Sequence, residues 1–322
     1  MSARKALVLG ATGGIGGAVA RRLAAQGWAV QALHRAPERA RANAKEGFTW
    51  MKGDALIAED VAAAAEGADL IVHAVNPPGY RNWRETVVPM LDNTLAAARP
   101  RGARVLLPGT VYNFGPDALP LPVEDSPQNP VTVKGKIRAE MEQRLAEAAA
   151  RGDARVLIVR AGDYFGPGAA NSWFSQGLMK PGSRPKSLTA PGKPGVGHQW
   201  AYLPDVADTM IRLLARDDLP AFARFHMAGH WDADGTEMLA AIRAVLGAPA
   251  PKAARLPWGL MRLASPVVPL FRELLEMKYL WDMPVRLRND RLVALLGAEP
   301  HTPLDAAVRA SLVSLGCLPA PA

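Results

Sequence analysis

Residues 7–16 read LVLGATGGIG, and this stretch decides how the rest of the chain is interpreted. An apolar run meets a cluster of glycines, and the cluster leads directly into the helix-forming residues 17–23. That order is typical of a buried parallel strand, a tight turn and a helix whose first N–H groups can hold an anionic pyrophosphate. The stretch therefore predicts a dinucleotide-binding turn at the start of an α/β sheet.

The spacing of Gly10, Gly13 and Gly16 assigns a role to each glycine. The first permits the turn, the second lets the backbone approach phosphate, and the third lets the helix pack closely on the strand. A purely structural glycine-rich turn is the alternative, because a glycine motif alone is weak evidence. The strand before it and the helix after it favour the dinucleotide site.

Length, charge and cysteine content narrow the class of protein. The 322 residues suffice for a nucleotide-binding domain with a smaller second domain. The net charge is +8, but the arginines are scattered, so we expect an anionic cofactor or substrate and no nucleic acid. The single cysteine, Cys317, excludes an intramolecular disulfide and fits a reducing cytoplasm. We expect no signal peptide, because the first strand begins by about Lys5.

One long apolar stretch needs its own interpretation. Residues 256–275 are rich in Leu, Pro, Val and Trp, but Arg262, Arg272 and three prolines interrupt them. We therefore expect no membrane span there. A peripheral or partner-facing amphipathic surface stays open.

Strands and helices alternate over the first half of the chain, and the composition changes after residue 162. Gly, Pro, Ser and Lys dominate residues 166–197, which we interpret as long loops over the carboxyl edge of the sheet. This pattern predicts an α/β fold with a doubly wound parallel Rossmann-type sheet and a smaller, mostly helical substrate domain. The predicted dinucleotide domain is residues 1–165, on which a return segment of about 198–228 also packs. The substrate region is 166–322, mostly helical after 235.

The motif LVLGATGGIG resembles the start of the short-chain dehydrogenases/reductases, specifically their extended, epimerase/dehydratase-like branch with its atypical members. The similarity extends over almost the whole chain, through specific motifs up to about residue 165 and through architecture beyond it. It implies a nicotinamide dinucleotide cofactor and an oxidoreductase or epimerase reaction. The cofactor contacts that it implies are Gly10, Thr12, Gly13, Gly14, Ile15, Gly16, His34, Arg35, Asp54, Ala55, Ala74, Asn76, Lys136 and Asp163.

The end of the second predicted strand discriminates between the two nicotinamide cofactors. NAD-preferring relatives carry an aspartate there, which bonds the ribose hydroxyls and repels a 2′-phosphate. This chain has His34 at that position, followed by Arg35, and no Asp or Glu between Gly27 and Ala36. Because arginine binds phosphate, the sequence predicts NADP, with NAD as the less favoured option. An ordinary surface arginine is the alternative.

Three further polar residues lie in or just after predicted strands. On the resemblance Asp54 faces the adenine, although its carboxylate would equally suit the N-cap of a helical turn over residues 55–65. Asn76 is placed to contact the nicotinamide ribose or a substrate, and the two prolines after it should stiffen the loop. His73 lies inside an apolar strand, and we interpret it as a core histidine rather than a catalytic base.

The resemblance implies three acid/base groups, and two of them are missing. In the family a tyrosine gives the proton, a lysine four residues later lowers the tyrosine pKa and holds the ribose, and a Ser or Thr orients the carbonyl. Lys136 falls on the lysine, but Thr132 stands in place of the tyrosine and Pro108 in place of the serine. Aligning Lys134 on the lysine instead would put Pro130 on the tyrosine, which is worse.

Other residues are available to replace the missing donor. A threonine hydroxyl is too weak an acid to be tuned like tyrosine, but Thr132 can donate a hydrogen bond or relay a proton through water. Tyr112 and Tyr164 follow the fifth and sixth strands, at the edge where ligands bind, although ordinary packing explains both equally well. Thr110 would orient the substrate, and Asp163 falls on the family's asparagine near the nicotinamide. The candidate catalytic residues are therefore Lys136, Tyr112, Thr110, Tyr164 and Thr132.

The residues expected around the substrate indicate a weakly charged molecule. Nucleotide-sugar relatives bind diphosphate with an arginine where this chain has His198. The adjoining loop offers an apolar lining, although three cations there would suit an anion, and no His/Cys/Asp cluster has metal-ligand spacing. The apolar residues are Trp173, Met179, Leu188 and Trp200, and the cations are Lys180, Arg184 and Lys186.

These observations together predict a cytoplasmic, NADP-dependent oxidoreductase that acts on a small carbonyl or hydroxy compound, with a non-standard proton donor and no metal. Two alternatives stay open. One is an epimerase- or dehydratase-like enzyme that keeps its cofactor through the cycle, and the other is a non-catalytic NADP-binding sensor or scaffold. The expected partner is a small-molecule substrate, and a homodimer is left open.

Overall fold

The computed structural model describes residues 3–43, 47–76 and 83–320, and its strands form three sheets. The strands are β1 (Lys5–Leu9), β2 (Ala29–His34), β3 (Thr49–Lys52), β4 (Leu70–His73), β5 (Arg104–Gly109), β6 (Arg155–Arg160), β7 (Asp163–Phe165), β8 (Ser187–Ala190), β9 (His198–Tyr202), β10 (Phe222–His226), β11 (His230–Asp232) and β12 (Lys252–Arg255). The largest sheet has seven strands in the order β10-β6-β5-β4-β1-β2-β3, and β1 to β6 pair in parallel. The predicted doubly wound α/β sheet is confirmed.

Helices connect these strands and outnumber the strands in the C-terminal third. They are α1 (Gly14–Ala25), α2 (Pro37–Asn43), α3 (Ala58–Ala64), α4 (Trp83–Ala98), α5 (Val133–Ala150), α6 (Leu203–Leu214), α7 (Glu237–Leu246), α8 (Trp258–Ala264), α9 (Pro269–Glu276), α10 (Tyr279–Asp282), α11 (Asp290–Leu296) and α12 (Leu304–Ser314). Within the parts of the chain that the structure describes, no helix is both long enough and apolar enough to span a membrane.

The chain divides into two compact units. The first contains Met1–Gly109, Ile137–Arg160 and Ala207–Phe225, and the second contains Thr110–Lys136, Ala161–Val206 and His226–Ala322. The second unit thus includes residues 110–136, which the sequence assigned to the dinucleotide domain.

In the first unit, β1 lies between β2 and β4, and the strand order reverses at this point. Open α/β sheets bind ligands beside such a reversal, at the carboxyl ends of the strands. All four residues of β4 are buried, and apolar side chains of α3, α4 and α5 cover one face of the sheet. A strand that is buried on both faces is a continuous apolar run without alternation, and such a run is easily recognised as a strand in the sequence.

A buried ion pair joins β6 to α5 within this unit. Arg160 is fully buried, and its Nη2 donates to both carboxylate oxygens of Glu142, at 2.7 and 2.8 Å. Burying a charge is costly unless it is paired, so the two residues stabilise each other's burial. The pair therefore fixes α5 on the sheet.

β5 contains Pro108 and ends at Gly109. Its pairing with β4 ends at Leu106 and only β6 accompanies the last residues, so the missing proline N–H interrupts no ladder on the β4 side. Residues 166–197 are not loops alone, because they contain β8 and a π-helix at Trp173–Leu178 whose start is closed by a reciprocal capping box.

The second unit is built around two small sheets. One has the order β11-β9-β7 and the other pairs β12 with β8 in parallel. Their core is rich in aromatic side chains and packs against α7 and α12. A separate apolar cluster joins Val111 and Phe114, which follow β5, to Met277 and Leu280 near α10.

Candidate functional site

The glycine turn after β1 is packed too closely to hold side chains. Gly10 has a φ of +91°, and a Cβ on it would lie 2.5 Å from the carbonyl oxygen of Ala74. A Cβ on Gly16 would lie 2.2 Å from the carbonyl oxygen of Gly10. These glycines therefore allow α1 to approach β1 and the end of β4.

The N-terminus of α1 has free hydrogen-bonding capacity. Its N-cap is Gly13, no side chain caps it, and its first turn contains no acidic residue. The first N–H groups of a helix have no partner within the helix, and the helix dipole is positive at this end. The turn thus fits the pyrophosphate of a dinucleotide, which would contact the backbone at residues 12–16.

His34 and Arg35 stand at the end of β2, as the sequence predicted. The His34 Nδ1 accepts a hydrogen bond from the backbone N–H of Ala36 at 3.0 Å, and its ring packs edge-on against Trp50. In the neutral ring the proton is therefore on Nε2. Arg35 is exposed and forms no ion pair within the described ranges. Both side chains present donors here.

Asp54 and Ala55 form a turn after β3. Asp54 Oδ1 accepts from the backbone N–H of Leu56 at 3.1 Å, but α3 begins only at Ala58, with Ile57 as its N-cap. The alternative that made Asp54 the N-cap of this helix is therefore wrong. The carbonyl of Ala55 accepts from the Asn93 side chain at 3.0 Å, which fixes the turn against α4.

Two predicted contacts, Ala74 and Asn76, lie just after β4. The Asn76 Oδ1 accepts from the indole N–H of Trp83 at 3.0 Å, which leaves the amide N–H₂ as the donor for a ligand. The two prolines expected to stiffen this loop, Pro77 and Pro78, lie outside the described residues.

His73 is a core histidine, as predicted. Its Nδ1 lies 2.8 Å from Thr94 Oγ1, and that hydroxyl donates to the carbonyl of Met90, so the histidine is the donor in the first bond. Burial, together with the positive charge of Arg138, lowers the pKa of His73 to about 3. A ring that stays neutral over the physiological range suits a structural role.

In the second unit, Thr132 immediately precedes α5. Its side chain is buried, and its Oγ1 accepts from the backbone N–H of Gly135 at 2.9 Å, which is the geometry of an N-cap. The residue at the family's tyrosine position thus stabilises the helix start. Its proposed part in proton transfer stays a prediction.

Lys134 and Lys136 have opposite environments on the same turn. Lys134 is buried, and its Nζ contacts the carboxylates of Glu273 and, at 2.9 Å, Glu276. Glu276 also accepts from the backbone N–H groups of Val133 and Lys134. Lys134 is therefore engaged by these two acids, whereas Lys136 is exposed. The role of Lys136 as the family's ribose-holding lysine stays a prediction.

Tyr112 lies beside this helix start. A Cβ on Gly135 would lie 2.2 Å from the carbonyl oxygen of Tyr112 and 2.9 Å from Thr132 Oγ1, so only glycine lets the three approach. The Tyr112 side chain is half-buried against the apolar cluster near α10. Thr110 Oγ1 donates to the side-chain oxygen of Asn113 at 3.0 Å. Gly135 is a site residue that the sequence-based candidates do not include, although a glycine just before the lysine is a visible signal.

Asp163 and His198 form a pair in the β7–β9 sheet. The Asp163 Oδ2 lies 2.8 Å from the His198 Nε2, and the histidine ring stacks on Trp281 with centroids 3.8 Å apart. One oxygen of Asp163 is thus engaged by His198. Its predicted cofactor contact stays a prediction, and so does the role of Tyr164, which is the next residue on β7 and half-buried.

The predicted apolar substrate pocket needs correction. Trp173, Met179 and Leu188 pack in the core of the second unit, because the π-helix and β8 bury them. The cavity lined by His198, Trp200 and Trp281 measures about 20 Å³, which is room for a single water molecule.

Two other groups of polar residues in the second unit are structural. Arg184, considered above for an anion, donates to the carbonyls of Leu246 and Gly247 at 2.6 and 3.1 Å and so closes the end of α7. Asp232, Asp234 and Glu237 come close enough for a metal, which sequence spacing did not indicate. Their oxygens accept backbone N–H groups around the start of α7.

The fold and the glycine turn define an α/β protein that binds a dinucleotide at the reversal of a doubly wound sheet. The model of the NAD dependent epimerase/dehydratase family matches residues 6–226. The chain belongs to this family, which confirms the resemblance seen in the sequence. Because the family consists of enzymes that use a nicotinamide dinucleotide, the prediction of such an enzyme is confirmed at that level.

Several solved structures have the same fold. A putative epimerase from Burkholderia cenocepacia J2315 has a TM-score of 0.72 at 18% identity, over 98% of this chain and 99% of that one. UDP-glucuronic acid 4-epimerase from Bacillus cereus, in complex with NAD, has a TM-score of 0.74 at 15% identity, over 97% and 98%. UDP-glucose 4-epimerase from Bifidobacterium longum, in complex with NAD+ and UDP, has 0.73 at 15%, over 97% of each chain. Among curated protein sequences, none is significantly similar to this chain.

Proposed function

We propose that this chain is an NADP-dependent oxidoreductase that acts on a small carbonyl or hydroxy compound. The observation that carries the proposal is the chemistry at the end of β2, where His34 presents an Nε2–H donor and Arg35 an exposed guanidinium. A carboxylate at this point would accept from ribose hydroxyls and repel a 2′-phosphate, whereas two donors suit the phosphate oxygens.

The cofactor, when bound, supplies or accepts a hydride at its nicotinamide ring. The uncapped N–H groups at the start of α1 hold its pyrophosphate, and Lys136 holds the ribose through its exposed ammonium. The hydroxyl of Tyr112 gives the proton to the carbonyl oxygen, and Thr110 orients the substrate. Tyr112 has better support than Tyr164, because its backbone packs on the first turn of α5, where Thr132 replaces the family tyrosine.

Arg35→Gln is expected to lower the affinity for NADPH roughly 10- to 100-fold, since a hydrogen bond to a charged group is lost. The affinity for NADH should not change, because NADH lacks the 2′-phosphate. Both affinities are measured by fluorescence titration. Arg41→Gln, which removes an equal charge from exposed α2, is the control. Tighter binding of NADH than of NADPH by the unmodified protein would contradict the NADP assignment.

Tyr112→Phe is expected to lower kcat about 100-fold with little change in KM, because the proton donor is lost and substrate contacts remain. A panel of aldehydes, ketones and sugar nucleotides first identifies a substrate, and NADPH oxidation gives the rates. Tyr164→Phe is made in parallel. Loss of turnover in Tyr164→Phe alone would identify Tyr164 as the proton donor. Turnover that survives both changes would exclude both tyrosines as the donor.

Two other functions have specific support. An epimerase- or dehydratase-like reaction is favoured by the family, and the panel would show it as conversion of a sugar nucleotide without net oxidation of NADPH. His198, at the position of the diphosphate-binding arginine of nucleotide-sugar relatives, is engaged by Asp163 and Trp281. A non-catalytic sensor is favoured by the use of Thr132 Oγ1 as a helix cap and by the lack of a hydroxyl at Pro108. Gain of reductase activity in Thr132→Tyr would support the sensor.

A further inference from the structure

The most exposed apolar side chains of the described residues are gathered on one short helical hairpin. Leu260, Leu263, Val267 and Leu270 are 68%, 80%, 81% and 61% exposed. The first three are more exposed than any other large apolar side chain in residues 3–43, 47–76 and 83–320. We call these four residues the α8–α9 surface. Exposed apolar side chains grouped in this way indicate a surface that contacts something else.

The hairpin has an inner and an outer side. α8 and α9 pack on each other, and Met261 is buried beneath them. Leu260 and Leu263 lie on α8, Val267 lies in the turn after it, and Leu270 lies at the start of α9. All four side chains are exposed, so the fold does not use them for its own core.

The charged residues of this segment have one sign. Arg262 on α8 and Arg272 on α9 are exposed, as are Lys252 and Arg255 on the preceding β12, and residues 251–272 contain no Asp or Glu. The next acidic residues along the chain, Glu273 and Glu276, are bonded to buried Lys134. The segment that carries the α8–α9 surface is thus cationic.

We propose that the α8–α9 surface binds peripherally to a membrane that carries anionic lipids. Aliphatic side chains bordered by Lys and Arg are the chemistry that enters the headgroup region, with apolar tips at the acyl boundary and cations at the lipid phosphates. A second copy of this chain fits less well, because a two-fold contact would bring the same cations face to face. An acidic protein partner is the alternative, and the test must distinguish it from an anionic membrane.

Flotation with lipid vesicles tests the proposal on the full chain. The protein should bind vesicles of phosphatidylcholine with about one third phosphatidylglycerol, bind phosphatidylcholine alone far more weakly, and detach at high salt. Leu263→Ser with Val267→Ser should weaken binding on the order of 100-fold. Arg262→Gln with Arg272→Gln should weaken it about 30-fold on the anionic vesicles. Both pairs are exposed, so their replacement leaves the core unchanged.

The control is Leu121→Ser with Val131→Ser, which removes two other exposed apolar side chains and should bind vesicles as the unmodified chain does. The proposal fails if the unmodified protein does not float with anionic vesicles or if Leu263→Ser with Val267→Ser floats equally well. It also fails if sedimentation shows a dimer that this double variant abolishes. Binding of soluble polyglutamate with the same dependence on Leu263 and Val267 would assign the surface to an acidic protein instead.

Discussion

Gly16→Ala is expected to lower the affinity for a nicotinamide dinucleotide at least 100-fold, which corresponds to about 3 kcal/mol. The added Cβ would lie 2.2 Å from the Gly10 carbonyl oxygen and 2.8 Å from its carbonyl carbon. Both atoms belong to the backbone and cannot rotate away, so α1 has to move off β1. The N–H groups that hold the pyrophosphate move with it. Fluorescence titration with NADPH measures the loss.

Gly259→Ala is the control for this change, because a Cβ there meets nothing within 4 Å. If Gly16→Ala does not fold, Thr12→Asp gives the same information from an exposed position, since it puts a negative charge beside the phosphate site without a steric clash. Unchanged affinity in a folded Gly16→Ala protein and in Thr12→Asp would show that the pyrophosphate is bound elsewhere.

Glu142→Gln is expected to lower the free energy of unfolding by about 3–5 kcal/mol. The change removes the negative charge of the carboxylate that accepts from the fully buried guanidinium of Arg160. The loss is large because a buried charge is costly when its partner is neutralised. Urea unfolding followed by circular dichroism gives the value.

Glu147→Gln, on the exposed side of the same helix, should change stability by less than about 0.5 kcal/mol. Replacing Glu142 and Arg160 together by methionine should restore much of the loss, because an apolar pair leaves no buried charge. A loss below about 1 kcal/mol for Glu142→Gln would mean that water reaches Arg160 and that the pair acts like a surface pair.

Features that depend only on residues close together in the sequence could be predicted. The glycine turn, the apolar runs of β1 and β4, and the core role of His73 each depend on neighbouring residues, and the structure has them where the sequence placed them. The exposed hairpin was also visible as an apolar stretch interrupted by arginines. The exposure of the hairpin could not be predicted, because an apolar helix face has the same sequence pattern whether it packs in the core or faces solvent.

Features that depend on distant residues could not be predicted. Trp281 lies 83 positions after His198, so no local pattern predicts that their rings stack. The small size of the cavity that they help to line could not be predicted either. The burial of Lys134 depends in the same way on acids from α9. Thr132 was recognised as a substitution for tyrosine, but its use as a helix cap depends on α5 beginning at Val133, which the local sequence did not indicate.

The contact between Lys134 and Glu276 bridges 142 positions of the chain. During synthesis, the segment that contains Thr132 and Lys136 leaves the ribosome long before Glu276. The Glu276 carboxylate, which accepts from backbone N–H groups at the start of α5, is therefore absent at first. The residues proposed for proton transfer thus lack this acidic partner until residue 276 has been synthesised. A chain truncated before α9 would keep the complete glycine turn while the start of α5 lacked its acidic partners.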